Sequence, residues 1–281
     1  MTVTAGTLFV CGTPIGNLED ASHRLLRILG EVDLIAAEDT RHTRKLLSHF
    51  GIRTPLTSFH AYSEKGKAET LMAALRQGKT VALVSDAGMP AISDPGGPLI
   101  AEVLAAGLPV EVIPGPSALL TALLLSGLQS DRFVFEGFVP RKGRRKTFER
   151  WRDEERTIIF YESPYRVLGT LREIRETLGD RRVAVCRELT KKFEEVFRGP
   201  VSDALAHFEA KTPKGEFTLV LEGAVEKVQE TVQVPVDPEL RSAFDALVEN
   251  GADRRAAVKE LASRYRLRRR EVYDALFKNG K

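Results

Sequence analysis

The sequence predicts an α/β protein with two α/β domains and a small helical domain after them. Apolar, β-branched runs alternate with helical segments through the first half, which is typical of a parallel sheet. Strand-like runs follow one another more closely in the second half, as in a mixed sheet. We expect domains over residues 1–116 and 117–224, a polar linker over 225–237 and a helical domain over 238–281.

In the first half, short apolar runs predict parallel strands, because strands buried on both faces carry no polar alternation. These strands cover residues 7–11, 32–37, 55–59, 80–84 and 110–113. The runs between them predict helices over residues 22–29, 45–50, 64–77, 99–106 and 118–125. Gly30 is expected to end the first helix, and Ser117 is expected to cap the last.

The second half predicts strands over residues 133–138, 157–161, 182–186, 193–199 and 216–221. Helices are expected near residues 148–151 and over 165–178 and 202–210. Ser163 and Pro164 suit the start of the second of these helices. The last domain predicts helices over 239–249, 254–265 and 269–277. Their apolar spacing is similar to a helix-turn-helix, although any small helical bundle needs such a stripe.

Composition favours a soluble globular protein, with 281 residues, 43% hydrophobic residues and a net charge of +3. No apolar run reaches the roughly 18 residues of a membrane span, and the first residues lack the basic and apolar regions of a secretory signal. Cys11 and Cys186 lie in strand-like runs and are expected to be buried free thiols in a reducing cytosol. We expect a cytoplasmic protein without a metal site.

The positive charge is concentrated in two clusters, at residues 141–146 and 264–270. One basic run is usually a solvated face. Two runs in a nearly neutral chain favour a polyanionic partner such as nucleic acid.

The stretch over residues 85–98 is the strongest functional signal. It holds three glycines and three prolines and follows a predicted strand. Ligands of α/β sheets bind at the carboxyl ends of strands, and an ordinary connection would need only two to six residues. An ordinary turn with capping aspartates is the alternative. Similar loops lie at residues 12–17 and 114–117.

The sequence lacks the motifs of several enzyme classes. It holds no P-loop, no G-x-G-x-x-G in the first turn and no G-x-S-x-G, and its histidines show no metal-ligand spacing. The glycine- and proline-rich loops suit a nucleoside-bearing cofactor that is bound mainly through backbone groups.

Seven motifs, in this order, resemble the ribosomal RNA small subunit methyltransferase I family of the tetrapyrrole-methylase superfamily. They are residues 13–18 (TPIGNL), 38–41 (EDTR), 85–90 (SDAGMP), 92–96 (ISDPG), 114–118 (PGPSA), 160–164 (FYESP) and 187–191 (RELTK). Tetrapyrrole enzymes carry G-x-G-x-G in the first loop and G-D-P in the long loop, where this chain has TPIGN and Gly88-Met89-Pro90. Both departures favour the RNA branch.

The resemblance implies an S-adenosylmethionine cleft between the two α/β domains and a homodimer. It also implies methyl transfer to the ribose 2′-hydroxyl of a cytidine in 16S rRNA of the small ribosomal subunit, near the decoding centre. The residues that match cofactor contacts by position are Pro14, Asp86, Gly88, Met89, Ile92, Ser117, Ala118, Tyr161 and Leu189.

A ribose hydroxyl is a poor nucleophile, so a positioned base would add about 10²–10⁴-fold. The candidate bases are Glu38, Asp39 and Lys191, with Glu162 and Glu188 as further carboxylates. The first two are favoured because Arg41 lies beside them at a strand end, although Asp39 equally suits a helix cap. The cations expected to hold RNA are Arg41, Arg44, Arg141, Lys142, Arg144, Arg145, Lys146, Arg268, Arg269 and Arg270.

Two other functions stay open. A tetrapyrrole (precorrin-type) methyltransferase would need neither the basic loop nor residues 238–281. A non-catalytic RNA-binding assembly protein on the same fold would bind no S-adenosylmethionine.

Overall fold

A computed structural model describes residues 6–60, 64–224, 238–265 and 267–277. The chain divides into two compact units, Met1–Ala224 and Val225–Lys281. The first unit holds two five-stranded sheets. The predicted border at residue 116 falls between these sheets, whereas the predicted linker over 225–237 lies outside the described residues.

The first sheet is parallel throughout, as predicted. Its strands are β1 Leu8–Cys11, β2 Leu34–Ala37, β3 Leu56–Ser58, β4 Val81–Val84 and β5 Val110–Ile113, in the order β3-β2-β4-β1-β5. Val84 pairs with both Cys11 and Ala37, and Cys11 pairs with Ile113. The carboxyl ends of four strands therefore lie in one row, and their loops leave the sheet side by side.

Helices and a short 3₁₀ turn connect these strands. They are the 3₁₀ turn Leu18–Asp20 and helices α1 His23–Glu31, α2 Thr40–His49, α3 Glu64–Arg76 and α4 Gly97–Ala105. Separate apolar clusters cover the two faces of the sheet, one around Phe9 and Ile35 and the other around Leu8 and Leu83. Both faces of the central strands β1, β2 and β4 are therefore buried, which is why these strands form continuous apolar runs in the sequence.

Two expectations for this half are wrong. Gly30 does not end α1, because it keeps a helical backbone and the helix continues to Glu31, where the Val32 N–H still reaches the Ile28 carbonyl. Helix α2 begins at Thr40 rather than at residue 45, because the Asp39 carboxylate caps it by accepting the Arg41 N–H at 2.8 Å.

The second sheet is mixed, as predicted. Its strands are β6 Phe133–Phe138, β7 Thr157–Glu162, β8 Arg182–Arg187, β9 Glu195–Pro200 and β10 Phe217–Leu221, in the order β6-β7-β10-β8-β9. Strands β6 and β7 are parallel, and the other neighbours are antiparallel. The carboxyl ends of β6, β7 and β8 consequently share one edge with the amino ends of β9 and β10.

The helices of this half are α5 Ala118–Ser126, α6 Arg144–Arg150, α7 Val167–Leu178 and α8 Val201–Glu209. Ser117 occupies the cap position of α5, yet its hydroxyl receives no capping hydrogen bond there. The prediction that Ser163 and Pro164 start α7 is wrong. The Ser163 carbonyl accepts from the Arg166 and Val167 N–H groups at 3.1 Å, so these residues form a turn ahead of the helix.

The second compact unit has the three predicted helices, α9 Pro238–Glu249, α10 Arg254–Arg264 and α11 Arg269–Phe277. Leu240, Phe244, Leu261 and Val272 belong to its apolar core. The stripe of apolar residues in the sequence is therefore the core of this unit.

Cys11 and Cys186 are buried free thiols, as predicted, and burial raises the pKa of each to about 12. Within the described ranges, no helix has both the length and the apolar character to cross a membrane. Nor do those residues contain a group of side chains that could hold a metal ion.

Candidate functional site

The strand ends of the two sheets surround one cavity of about 380 Å³. The first sheet contributes Glu38 after β2 and the long loop after β4. The start of α5 and four strand ends of the second sheet complete the walls. The lining residues are Ile15, Glu38, Asp86, Ala87, Gly88, Met89, Ile92, Asp94, Ser117, Ala118, Phe138, Tyr161, Glu162, Ser163, Pro164, Leu189, Gly215, Glu216, Phe217 and Thr218.

Close backbone contacts hold three of these loops together. Thr13 and Gly88 exchange backbone hydrogen bonds of 2.9 and 3.1 Å, and Gly88 has φ +80°. A Cβ atom on Gly12 would lie 2.8 Å from the Gly115 Cα, and one on Gly115 would lie 2.6 Å from the Gly12 carbonyl oxygen. Both glycines are therefore required where the loops after β1 and β5 meet.

Eight of the nine residues predicted to contact the cofactor line this cavity. They are Asp86, Gly88, Met89, Ile92, Ser117, Ala118, Tyr161 and Leu189. Pro14 is not among the described residues that line it, whereas its neighbour Ile15 is. The structure thus brings together residues from five separate motifs, and their contacts with a cofactor stay a prediction.

Three carboxylates face the cavity from the first sheet. The Glu38 carboxylate accepts the Asp86 N–H at 3.4 Å, and the Asp86 carboxylate accepts the Asp39 N–H at 3.0 Å. Asp94 lies on the same wall. The ends of β2 and β4 are therefore tied through carboxylate and backbone groups, with negative charge concentrated at one side of the cavity.

This concentration changes the proton affinity of two carboxylates. Burial, aided by Asp86 and Asp39, raises the pKa of Glu38. Burial and the charge of Glu38 raise the pKa of Asp94 to about 6, against a hydrogen bond from Ser85. Burial and Asp94 also raise the pKa of Tyr161 to about 12. Carboxyl groups of this kind are suited to proton transfer near neutral pH.

The other predicted bases are held in ion pairs. Asp39 caps α2 and binds Arg41 at 2.7 Å, which lowers the pKa of Asp39 to about 2. The Lys191 ammonium pairs with Glu188 at 2.9 Å and with Glu216 at 3.0 Å, and its pKa is raised. Neither is among the described residues that line the cavity. A weakly basic carboxylate and a protonated ammonium are poor proton acceptors.

The two further carboxylates also have structural partners. Glu162 is buried and accepts from the Thr170 hydroxyl at 2.7 Å and from the Ser163 N–H at 2.8 Å. Glu188 accepts the Glu216 N–H at 3.0 Å in addition to its ion pair with Lys191. Among the predicted bases, Glu38 has the geometry and the proton affinity that fit the role best.

The long loop is strained next to the cavity. Ala91 and Ser93 both have φ 68°, in the left-handed region that non-glycine residues rarely adopt. The Ser93 hydroxyl lies 3.1 Å from the position of a Cβ on Gly137, so the loop reaches strand β6 of the second sheet. Strain of this kind is found at ligand sites, where surrounding contacts hold it in place.

Most of the predicted RNA contacts are exposed. Exposed cations are Arg41, Arg44, Arg141, Lys142, Arg145, Lys146, Arg268, Arg269 and Arg270. Arg144 differs, because it is partly buried and its guanidinium pairs with Glu173 at 2.9 Å. Arg144 therefore joins α6 to α7, which does not favour its predicted role at the RNA surface.

Sequence reasoning missed several residues of the cavity. Phe138 follows an irregularity in the pairing of β6 with β7, at Gly137 with φ 65°. No periodicity marks such a bulge. Phe217 and Thr218 come from a strand whose pairing could not be inferred from neighbouring segments.

Comparisons with known proteins agree with this fold. The model of the tetrapyrrole (corrin/porphyrin) methylases matches residues 7–205. A uroporphyrin-III-C-methyltransferase from Thermus thermophilus has a TM-score of 0.57 at 21% identity, over 77% of this chain and 94% of that one. A diphthine synthase has a TM-score of 0.62 at 15% identity, over 77% and 89%. The two sheets and their cavity thus define a methyltransferase of the tetrapyrrole-methylase class.

Curated relatives named ribosomal RNA small subunit methyltransferase I are more similar. The Thermotoga maritima protein is 52% identical over 78% of this chain and 99% of its own length. The Synechocystis protein is 46% identical over 95% and 96%, and the Bacillus subtilis protein is 42% identical over 96% and 94%. The chain belongs to the ribosomal RNA small subunit methyltransferase I family.

Proposed function

We propose that this protein uses S-adenosylmethionine to methylate the ribose 2′-hydroxyl of a cytidine in 16S rRNA, near the decoding centre of the small subunit. The observation that carries the proposal is that one cavity joins the predicted cofactor residues to the partly buried carboxylate of Glu38. The names of the relatives support rRNA as the substrate.

The cavity suits the cofactor in size and charge. Its volume of about 380 Å³ lies in the range of small-molecule sites. Apolar Ile15, Met89 and Leu189 line the cavity together with the carboxylates of Glu38 and Asp94. S-adenosylmethionine would supply a methyl group on a positively charged sulfur, and these carboxylates favour a positive charge electrostatically.

In the proposed mechanism, the protein aligns the ribose hydroxyl and accepts its proton. The loop walls fix the reacting groups in line, and alignment of this kind can contribute roughly 7–11 kcal/mol. Glu38 accepts the hydroxyl proton, while S-adenosylmethionine would supply the methyl group for the new C–O bond and leave as a neutral thioether. Asp86 and Asp39 raise the proton affinity of Glu38 through their negative charges.

Gly88→Val is expected to weaken cofactor binding by about ten- to hundredfold, because left-handed strain of about 1–3 kcal/mol would displace the loop from the cavity. Calorimetric titration with S-adenosylmethionine measures the change. Gly107→Val is the matched control, since Gly107 also has positive φ, at +70°, but is not among the described residues that line the cavity. Full cofactor affinity in the Gly88 variant would show that Gly88 does not lie against the cofactor.

The proposed reaction is tested with labelled S-adenosylmethionine. Purified protein is incubated with 30S subunits or with naked 16S rRNA, and the product nucleoside is mapped by mass spectrometry. We expect a 2′-O-methylcytidine in one of the two substrates. Methylation of a base would refute the reaction, and the absence of cofactor binding would favour the non-catalytic alternative.

A homodimer in the cytoplasm is part of the proposal. Leu120 and Leu124 of α5 are 48% and 76% exposed, and Val112 on the edge strand β5 is 52% exposed. Exposed apolar side chains on one helix and one edge strand are typical of an interface between copies. The resemblance to the family implies the same assembly.

A further inference from the structure

The edge of the second sheet that borders the cavity carries exposed aromatic rings. Phe138 ends β6 and is 57% exposed, Tyr165 follows β7 and is 96% exposed, and Phe193 precedes β9 and is 66% exposed. Aromatic side chains are expensive to leave in water, so a group of them beside a site requires an explanation.

Strand pairing places the three rings along one edge. Phe138 pairs with Tyr161 at the end of β7, where Tyr165 follows. Phe217 of β10 pairs with both Glu162 and Arg187, and Arg187 pairs with Glu195, two residues after Phe193. The three aromatic residues therefore form a row along this edge, from β6 to β9, across the ends of all five strands.

Phe138 is held in a fixed orientation at the cavity. The irregular pairing of β6 at Gly137 precedes it, and its ring meets the Tyr161 ring edge-on with centroids 5.4 Å apart. Tyr161 is itself partly buried and also contacts Phe135 at 5.0 Å. Phe138 thus presents a supported ring whose exposed part borders the cavity.

Positive charge accompanies the rings. The Lys192 ammonium lies 5.7 Å from the centroid of the Phe193 ring. Arg141 and Lys142 are exposed just beyond Phe138 in the chain. Rings interleaved with exposed cations match the chemistry of single-stranded nucleic acid, whose bases stack while its phosphates pair with cations.

We propose that Phe138, Tyr165 and Phe193 are a stacking surface for unpaired bases of the RNA substrate, with Phe138 beside the reacting nucleotide. The inference rests on the proposed function and adds to it the form of RNA that the site accepts. Bases within a duplex stack on their neighbours and have no free faces, so the segment that is bound must be unpaired at this surface.

The test measures binding of a short fluorescein-labelled single-stranded RNA and of the same RNA annealed to its complement. Alanine at Phe138, Tyr165 or Phe193 is expected to weaken single-strand affinity by about 5- to 150-fold for a ring that stacks on a base. Duplex affinity should stay unchanged in all three variants. Calorimetric cofactor affinity should stay unchanged in the Tyr165 and Phe193 variants, because neither residue is among the described ones that line the cavity. Leu104→Ala is the control, since Leu104 is 58% exposed on α4 and is not among the described residues that line the cavity.

A second variant reports stacking directly. In Phe138→Trp, a stacked base should quench tryptophan emission when single-stranded RNA is added, whereas Leu104→Trp should show no such change. The native Trp151 is buried and gives a constant background.

Three outcomes would overturn the stacking surface. The alanine variants could keep their single-strand affinity, lose single-strand and duplex affinity equally, or lose RNA affinity together with a change of oligomeric state by light scattering. The last outcome would identify the rings as an interface between copies. If the unaltered protein transfers no methyl group to 16S rRNA, the proposed function fails, while the quenching experiment still decides the stacking.

Discussion

Glu38→Gln is expected to lower the rate of methyl transfer by about 10²–10⁴-fold, the usual contribution of a general base. Glutamine has nearly the same shape and can still accept the Asp86 N–H that Glu38 accepts at 3.4 Å. It cannot accept the proton of the ribose hydroxyl. The rate should therefore fall far more than cofactor affinity, which is measured by calorimetry and loses only the electrostatic contribution of one carboxylate.

Asp39→Asn is the matched control for this substitution. It removes the neighbouring carboxylate, yet asparagine also caps helices well, so α2 keeps its first turn. We expect its rate to change far less. A larger loss in the Asp39 variant than in the Glu38 variant would assign the proton to Asp39, against the low pKa that Arg41 gives it.

The dependence on pH adds an independent signature to the Glu38 experiment. A base acts only as the ionised carboxylate, so the rate falls as the pH drops through its pKa. Burial and the neighbouring carboxylates raise the pKa of Glu38 above its ordinary 4.5. The acid limb of the pH profile, where the rate falls as the pH drops, should therefore lie above that value. Asp86→Asn removes a like charge beside Glu38 and should move the limb to lower pH. Loss of the limb in Asp94→Asn would identify Asp94 as the base.

Whether a feature of the fold or of the site could be predicted depended on how far apart in the sequence the interacting residues lie. The strands of the first sheet follow from local apolar runs, and the loop over residues 85–98 follows from its glycines and prolines. The helix cap at Asp39 was one of the two roles that the sequence offered for this residue, and it is formed with the neighbouring Arg41 N–H. The role of Lys191 did not follow, because it depends on an ion pair with the distant Glu216.

The walls of the cavity show the same limit. The Gly12–Gly115 contact joins loops about a hundred residues apart in the sequence. Phe138 is oriented by a bulge, which has no periodic signature. The resemblance to the family motifs nevertheless predicted eight of the residues that line the cavity. A motif contains the residues that such contacts require, although it does not explain the contacts.

RNA affinity is expected to fall steeply with salt, because the predicted contacts are mainly cations. A protein with six to ten phosphate contacts loses about 10³–10⁵ in affinity between roughly 50 and 200 mM salt. Fluorescence anisotropy with labelled 16S rRNA fragments measures the slope of log affinity against log salt. An affinity that does not change with salt would show that the clusters at 141–146 and 268–270 do not bind RNA. Lys79→Ala is the control, since Lys79 is exposed ahead of β4, at the amino edge of its sheet.

The contribution of the helical unit to RNA binding can be measured with a protein that ends after Ala224. The remaining unit has its own apolar cores, and the Thermotoga maritima relative aligns over 99% of its length with only 78% of this chain. We therefore expect the shortened protein to fold and to keep its cofactor affinity. Its salt slope should fall by about 0.7–0.9 for each phosphate that the helical unit contacts. An unchanged slope would show that exposed Arg268, Arg269 and Arg270 hold no phosphate, because the cations of the two-sheet unit would then account for all of the counterion release.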